Sequence, residues 1–318
     1  SPAEYQQSFE SAGNCTWKCL VGNAKKWKRG PVSMDVIIGG SHVRLTATLG
    51  RRLTDGFEVG FSWDPENYAF SEIIESAGTT PIPPYLNRDA EASDRERYQT
   101  VYNRDPGSVA APTAGLHFTR EMLDRLHTLG IPVRELTLHV SAGTFVPIKH
   151  ADARQHSMHE ETVLVTRRFL EYWSSKPSGL IAVGTTTTRS LETLYWLGVR
   201  LLANRASGSG HMEFRQWENE ALPADISLQE SLESLVGFCD RNQLEQFHFS
   251  TGLMIVPGYR FRTIEGLLTN FHLPGSTLLL LVAAFIGDDW KKVYDSAQEN
   301  HYRFLSYGDT SLLLPRKQ

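Results

Sequence analysis

An uninterrupted apolar run, Leu278 to Leu281 followed by Val282 and Phe285, begins directly after the polar turn spanning residues 269–277. A helix that is apolar on every side has to lie inside a large core, so the rest of the chain must wrap around it. From Leu278 to Ile286 it is much shorter than the ~20 residues a bilayer requires. The turn before it is of a different kind. Asn270 and His272 offer an amide and a titratable ring, Pro274 and Gly275 bend the chain, and Ser276 or Thr277 is placed to cap the helix. A constrained polar turn against a helix start is suited to holding a ligand.

With 318 residues, 41% of them apolar and 21% charged, the chain has material for two domains. A net charge of -4 argues against a nonspecific nucleic-acid coat, although a local basic patch can still dock a structured RNA. Three cysteines, Cys15, Cys19 and Cys239, favour a reducing cytoplasm over a disulfide framework. Cys15 and Cys19 alternate with polar positions around Trp17, which reads as a strand more readily than as a metal site. No signal peptide or membrane span is visible, and the opening Ser1-Pro2-Ala3-Glu4 reads as the interior of a larger protein.

Short β patterns fill the first part: Thr16 to Val21, Val32 to Ile38, His42 to Leu49 and Phe57 to Trp63, with Gly39-Gly40 and Asp55-Gly56 as hairpin turns. They predict a small antiparallel barrel or sandwich over residues 1–75. From about residue 69 helices and strands alternate, predicting an α/β domain over 76–318 with an α/β/α layering. Thr119 is expected to cap a helix that stops at Gly130, and Pro132 to Val140 to form a strand. Gly179 to Val183 reads as a buried strand, the threonine run after it as a loop, and Ser190 to Leu197 as a helix. Residues 204–248 lack a clear period before Leu228 and read as an insertion with a mobile loop and a short helix.

Five polar clusters sit at the expected element ends: APTAGLHFT (111–119), LHVSAGTF (138–145), HSMHEE (156–161), GTTTTRSLE (184–192) and TNFHLPGST (269–277). Each joins small residues, which let a ligand approach the backbone, to hydroxyl or imidazole groups that make directional contacts. Together they point to one lined pocket. His156, His159 and Glu160 admit a metal reading, but their spacing differs from the usual helical pair; a substrate contact, a proton-transfer group or a solvated loop are the alternatives. GTTTTRSLE lacks the second Gly and the Lys of a P-loop, which argues against nucleoside triphosphate hydrolysis. Its hydroxyls and Arg189 still suit a ribose, a carboxylate or a phosphate, with helix capping as the plainer alternative. His117 and His139 follow apolar residues, where a satisfied core histidine is the usual explanation. The tract Lys25 to Arg29, with Trp27 inside it, suits either a nucleic-acid backbone or solvent.

In order along the chain, IPPYLNRDAEASDRERYQTVY (82–102), APTAGLHFT, LHVSAGTFVPI, SMHEE, GTTTTRSLET, VPGYRF, TNFHLPGSTLLLLVAAF and YRFLSYGD (302–309) resemble the S-adenosylmethionine:tRNA ribosyltransferase-isomerase family of queuosine biosynthesis. The resemblance covers most of residues 75–318, and the β-rich first part is consistent with that family's small inserted barrel. It implies transfer and isomerisation of the ribosyl part of S-adenosylmethionine onto 7-aminomethyl-7-deazaguanine at the tRNA wobble position. Epoxyqueuosine-tRNA, adenine and methionine are the products. S-adenosylmethionine is then a co-substrate, no metal or redox cofactor is needed, and the partners are S-adenosylmethionine and a tRNA with a GUN anticodon. A monomer in the cytoplasm, without a membrane attachment, is expected.

The resemblance makes His117, His139, His159 and His272 candidate acid, base or polarising groups. It makes Thr113, Gly115, Gly143, Thr144, Glu160, Thr186, Arg189, Asn270 and Ser276 candidate substrate contacts, with Arg97, Tyr98, Arg303 and Asp309 lining or supporting the same cleft. Some positions depart from the family. An Asn-Asn-Thr-Arg motif that normally precedes the barrel has no counterpart, Ser141-Ala142 replace Gly-Leu, and Ser250-Thr251-Gly252 replace Trp-Thr-Asp, where a carboxylate is lost. These departures motivate the alternatives of a catalytically impaired tRNA- or substrate-binding homologue and, from the histidines, a metal-dependent hydrolase.

Overall fold

The computed structural model describes residues 9–315 apart from 28–29, 54–55, 80–81, 83–85, 87, 92, 104–110, 140–153, 155, 157, 159, 177–178 and 204–210. The chain divides into two compact units, Ser1–Thr80 and Pro81–Gln318.

In the first unit four antiparallel strands, β1 (Asn14–Cys19), β2 (Val32–Ile38), β3 (Ser41–Leu53) and β4 (Gly56–Asp64), lie in the order β1-β4-β3-β2. Strict alternation puts Val36, Val43, Val59 and Trp63 on one buried face. Helix α1 (Phe70–Ala77) covers that face with Phe70 and Ile73, the Phe70 ring stacking on Trp63 at 5.5 Å. The Glu72 carboxylate accepts the Ala69 N–H at 2.8 Å and so caps the helix start. Gly39 and Gly40, with φ of 57° and 86°, make the β2–β3 turn that only glycine enters freely. The expected barrel is corrected here: among the described residues β1 and β2 pair only with their inner neighbours, and no closed barrel is seen. A helix, not a closing strand, covers the apolar face. The Asp55 turn and residues Lys28 and Arg29 lie outside the described residues.

The second unit is mixed α/β. One sheet has the order β11-β10-β7, in which β10 (Ile264–Asn270) runs parallel to β7 (Leu180–Val183) and antiparallel to β11 (Thr310–Leu313). The other contains β5 (Thr137–His139), β6 (Glu161–Thr166), β8 (Met212–Phe214) and β9 (Gln246–Thr251) in the order β5-β6-β9-β8. Further helices are α2 (Asp94–Arg97), α3 (Arg120–Thr128), α4 (Arg167–Ser175), α5 (Thr185–Leu202), α6 (Leu228–Arg241), α7 (Thr277–Ile286) and α8 (Asp289–Glu299). The apolar run is α7, its Leu279, Leu281, Val282, Ala283 and Phe285 buried and its first turn capped by Ser276.

Three further expectations fail for physical reasons, the first being the buried strand at Gly179 to Val183: β7 is an edge strand and its Ile181 is exposed. The threonines after β7 are not a loop: they form the first turn of α5, because Gly184 with φ 95° turns the chain and the helix starts at once. Residues 211–248 of the expected insertion are not an appendage either. They supply β8, α6 and the first half of β9, and Leu232, Leu235, Phe238, Cys239 and Phe247 from them are in the main core. α6 starts at a capping box of Ser227 and Glu230 and lies hard against α5, where a Cβ on Gly198 would stand 2.2 Å from the Ser231 oxygens.

Candidate active site

A cleft opens where the parallel strands β7 and β10 end, the usual place for ligands in an α/β sheet. Its floor is the last turn of β10. Thr269 and Asn270 are each 2% exposed and His272 8%, so three polar side chains are held under the opening. Thr269 Oγ1 lies 2.9 Å from His272 Nε2, and Asn270 Nδ2 lies 3.0 Å from His117 Nε2. With the amide oriented so, His117 accepts at Nε2 and its proton sits on Nδ1. The His272 backbone N–H donates to Tyr294 Oη at 3.0 Å, which fixes the turn from behind.

One wall is the start of α5, with Thr185, Thr186 and Thr187 on the cleft. The first amides of an eighteen-residue helix have no acceptor within it and favour anionic or electron-rich groups. Gly184 ties this wall to the sheet through its N–H to Leu268 O at 2.8 Å. The 3-10 turn Thr113–His117 gives a second wall through Thr113 and Ala114. Leu305 and Ser306 give a third, and Leu138 and Leu278 complete the apolar lining.

Burial pushes the His272 imidazole down to about 4, so it is neutral at physiological pH. Burial also lowers His117, an effect that the Asp309 charge opposes and the Arg303 charge reinforces. The Arg303–Asp309 ion pair, 3.1 Å long with Arg303 exposed and Asp309 half-buried, thus lies close enough to His117 to tune it.

The family model described as a queuosine biosynthesis protein matches residues 3–313. The chain belongs to this family. A relative from Geobacter metallireducens named S-adenosylmethionine:tRNA ribosyltransferase-isomerase is 37% identical over 297 residues, covering 92% of this chain and 72% of the relative. Relatives of the same name from Acidithiobacillus ferrooxidans and Sphingopyxis alaskensis are 40% and 38% identical, covering 82% and 95% of this chain and 64% and 73% of theirs. A solved S-adenosylmethionine tRNA ribosyltransferase from Thermotoga maritima matches with 27% identity and a TM-score of 0.39, covering 94% of this chain and 70% of that one.

Of the residues that the family resemblance singles out, Thr113, Thr186, Asn270 and His272 line the cleft and His117 reaches it through Asn270. Gly143, Thr144 and His159 lie outside the described residues. Others stand elsewhere. Arg189 is 5% exposed and spends its guanidinium on Glu161 Oε2 at 3.0 Å and on the carbonyls of Thr251 and Leu253, so it fastens α5 to the second sheet rather than offering a donor to a ligand. Ser276 caps α7, accepting the Leu279 N–H and donating to Leu273 O. Gly115 makes room for Tyr102, whose hydroxyl would lie 1.9 Å from a Cβ there. Its smallness is a packing requirement.

His139 ends β5 half-buried and Glu160 is exposed; neither is among the cleft-lining residues. Tyr98 is buried with its ring 5.6 Å from that of Tyr307, and Arg97 is exposed. Sequence reasoning missed Thr269 and Ser306, although each lies in a stretch carrying the family resemblance; a hydroxyl three residues before a histidine was the available signal for Thr269. Among the described residues no group of three or more His, Cys, Asp or Glu side chains is assembled to hold a metal, and no helix is long and apolar enough to cross a membrane.

Proposed function

We propose that this chain transfers and isomerises the ribosyl group of S-adenosylmethionine onto 7-aminomethyl-7-deazaguanine at the wobble position of a tRNA with a GUN anticodon. The carrying observation is that three separate family segments, at 113–114, 184–187 and 269–272, line one cleft. The relatives' shared name favours this enzyme over a binding-only homologue. A cytoplasmic monomer that uses S-adenosylmethionine as co-substrate, without a metal or redox cofactor, fits the same reading.

The sulfonium acidifies the ribose carbon next to it, so a modest base can remove a proton there. The amine of the wobble base then forms a bond to the ribosyl group and gives up a proton, and the ribose carbons close into the epoxide-bearing ring. The glycosidic bond breaks as adenine leaves and takes up a proton, and the C–S bond breaks with its electron pair going to methionine. A neutral His272 supports the base role: its Nε2 is 2.9 Å from the Thr269 hydroxyl, which borders the cleft and can pass a proton to it. His117, held by Asn270 beside the Arg303–Asp309 pair, is suited to polarising the leaving adenine. Thr113 and Thr186 offer hydroxyls to the ribose or the methionine.

The test incubates the purified chain with S-adenosylmethionine and tRNA bearing the aminomethyl base, and measures adenine. Release that requires the modified tRNA, and that falls at least a hundredfold in His272→Ala (~2.7 kcal/mol of barrier), is expected. No tRNA-dependent adenine release, or full activity in His272→Ala, overturns the reading.

A further inference from the structure

The segment at 88–98 resembles the family in sequence, but none of its described residues is among those that line the cleft. Its centre is Asp94, a carboxylate in a four-residue helix that is nonetheless 1% exposed. Arg88 grips it with two bonds, Nη1 at 2.6 Å and Nη2 at 2.8 Å, and the Glu91 N–H donates to it at 2.8 Å. The fourth donor comes from the far end of the chain: Tyr307 Oη at 3.0 Å.

Tyr307 immediately follows Leu305 and Ser306, which form one wall of the cleft. That wall is an unusual piece of backbone. Leu305 sits at φ 73°, a left-handed conformation that a leucine adopts only when its surroundings impose it. The turn is closed on itself by Gly308 N–H to Leu305 O at 2.9 Å and Asp309 N–H to Arg303 O at 2.7 Å. A Cβ on Gly308 would lie 2.3 Å from Arg303 O, so the turn has no slack. Among the attachments that hold the turn from outside are Leu305 N–H to Phe271 O at 2.9 Å and the Tyr307 hydroxyl on Asp94.

We propose that Asp94 is a positioning residue for the reaction, holding the Leu305–Ser306 wall against the Asn270–His272 floor through the hydroxyl of Tyr307. An apolar contact would stabilise the segment as well; a bidentate Arg–carboxylate with one further acceptor site fixes the direction from which the phenol must arrive. The Tyr98 ring packed on Tyr307 limits the remaining freedom of that side chain. The wall's place decides how closely the cleft fits S-adenosylmethionine, the smaller of the two substrates. This rests on the cleft being the reaction site.

The test is a double-mutant cycle on the full chain. Tyr307→Phe removes one hydroxyl and keeps the ring; Asp94→Asn keeps the shape and removes the charge. Tyr307→Phe is expected to raise the KM for S-adenosylmethionine about tenfold (~1.4 kcal/mol), with a smaller change in kcat and a thermal midpoint close to that of the parent. Adding Asp94→Asn to it should raise KM no further. Unchanged KM in folded Tyr307→Phe, or effects of the two changes that multiply, overturns the positioning role even if Asp94→Asn alone fails to fold. His272→Ala, assayed in parallel, separates the two ideas. If it too is fully active, the cleft itself is the wrong site; if it is inactive while Tyr307→Phe is normal, only the role of Asp94 falls.

Discussion

His272 shows how burial sets chemistry at a single residue. Burial lowers its folded-state value to about 4 from 6.5, so between those values the unfolded chain binds a proton that the folded chain refuses. Stability is therefore complete above about pH 6.5 and declines as the pH falls toward 4, by at most about 3 kcal/mol. Denaturant unfolding across that window should show the decline, and His272→Gln should flatten it. Thr269 offers a second test at this scale. Thr269→Ser keeps the hydroxyl beside His272 Nε2 and should retain most activity; Thr269→Val keeps the shape and should lose about a hundredfold in kcat if the hydroxyl carries the proton. The sequence made His272 legible through its turn. It could not reveal that Arg189, in an equally suggestive motif, is consumed by Glu161 and two carbonyls, because that partnership joins residues far apart in the chain.

At the scale of elements, local pattern succeeded where one short period was decisive. The apolar run of α7 and the alternation in β1 are examples, since each places its side chains without reference to distant partners. It found the helix that begins at Leu228, but not its extent to Arg241, nor that Leu232, Leu235, Phe238 and Cys239 become core against α5. That contact supplies a prediction. Gly198→Ala pushes a methyl to 2.2 Å from Ser231 backbone and side-chain oxygens and should cost about 1–3 kcal/mol, read as a lower thermal midpoint. Gly237→Ala, on α6 itself, meets only the end of the Arg241 side chain at 3.3 Å and should be neutral or stabilising by up to ~1 kcal/mol. The barrel expectation failed for a related reason: alternation identifies strands and their inner face, but not what covers that face.

For the whole molecule, the net charge of -4 leaves RNA affinity to local patches. Lys25 and Lys26 in the first unit are exposed and follow one another in a 3-10 turn. If they meet the tRNA backbone, Lys25→Glu with Lys26→Glu should weaken binding and reduce the slope of log K against log salt by about 2, with adenine release at saturating tRNA preserved. An unchanged slope assigns these lysines to solvent. Of the two polar clusters around Gly143 and His159, which lie in part outside the described residues, the first supplies Leu138 to the cleft; the other three supply cleft-lining residues too, so the lining, though not the role of each residue, was legible as a set of motifs.

The strand directions in the sheet of β7, β10 and β11 carry a practical consequence. β7 and β10 finish at the cleft, whereas β11 starts there, with Thr310 opposite Asn270 and Leu313 opposite Leu267. The chain therefore leaves the sheet at the rim facing away from the cleft. A tether or affinity handle inserted after Leu314 would hold this unit by the edge of the sheet opposite the cleft.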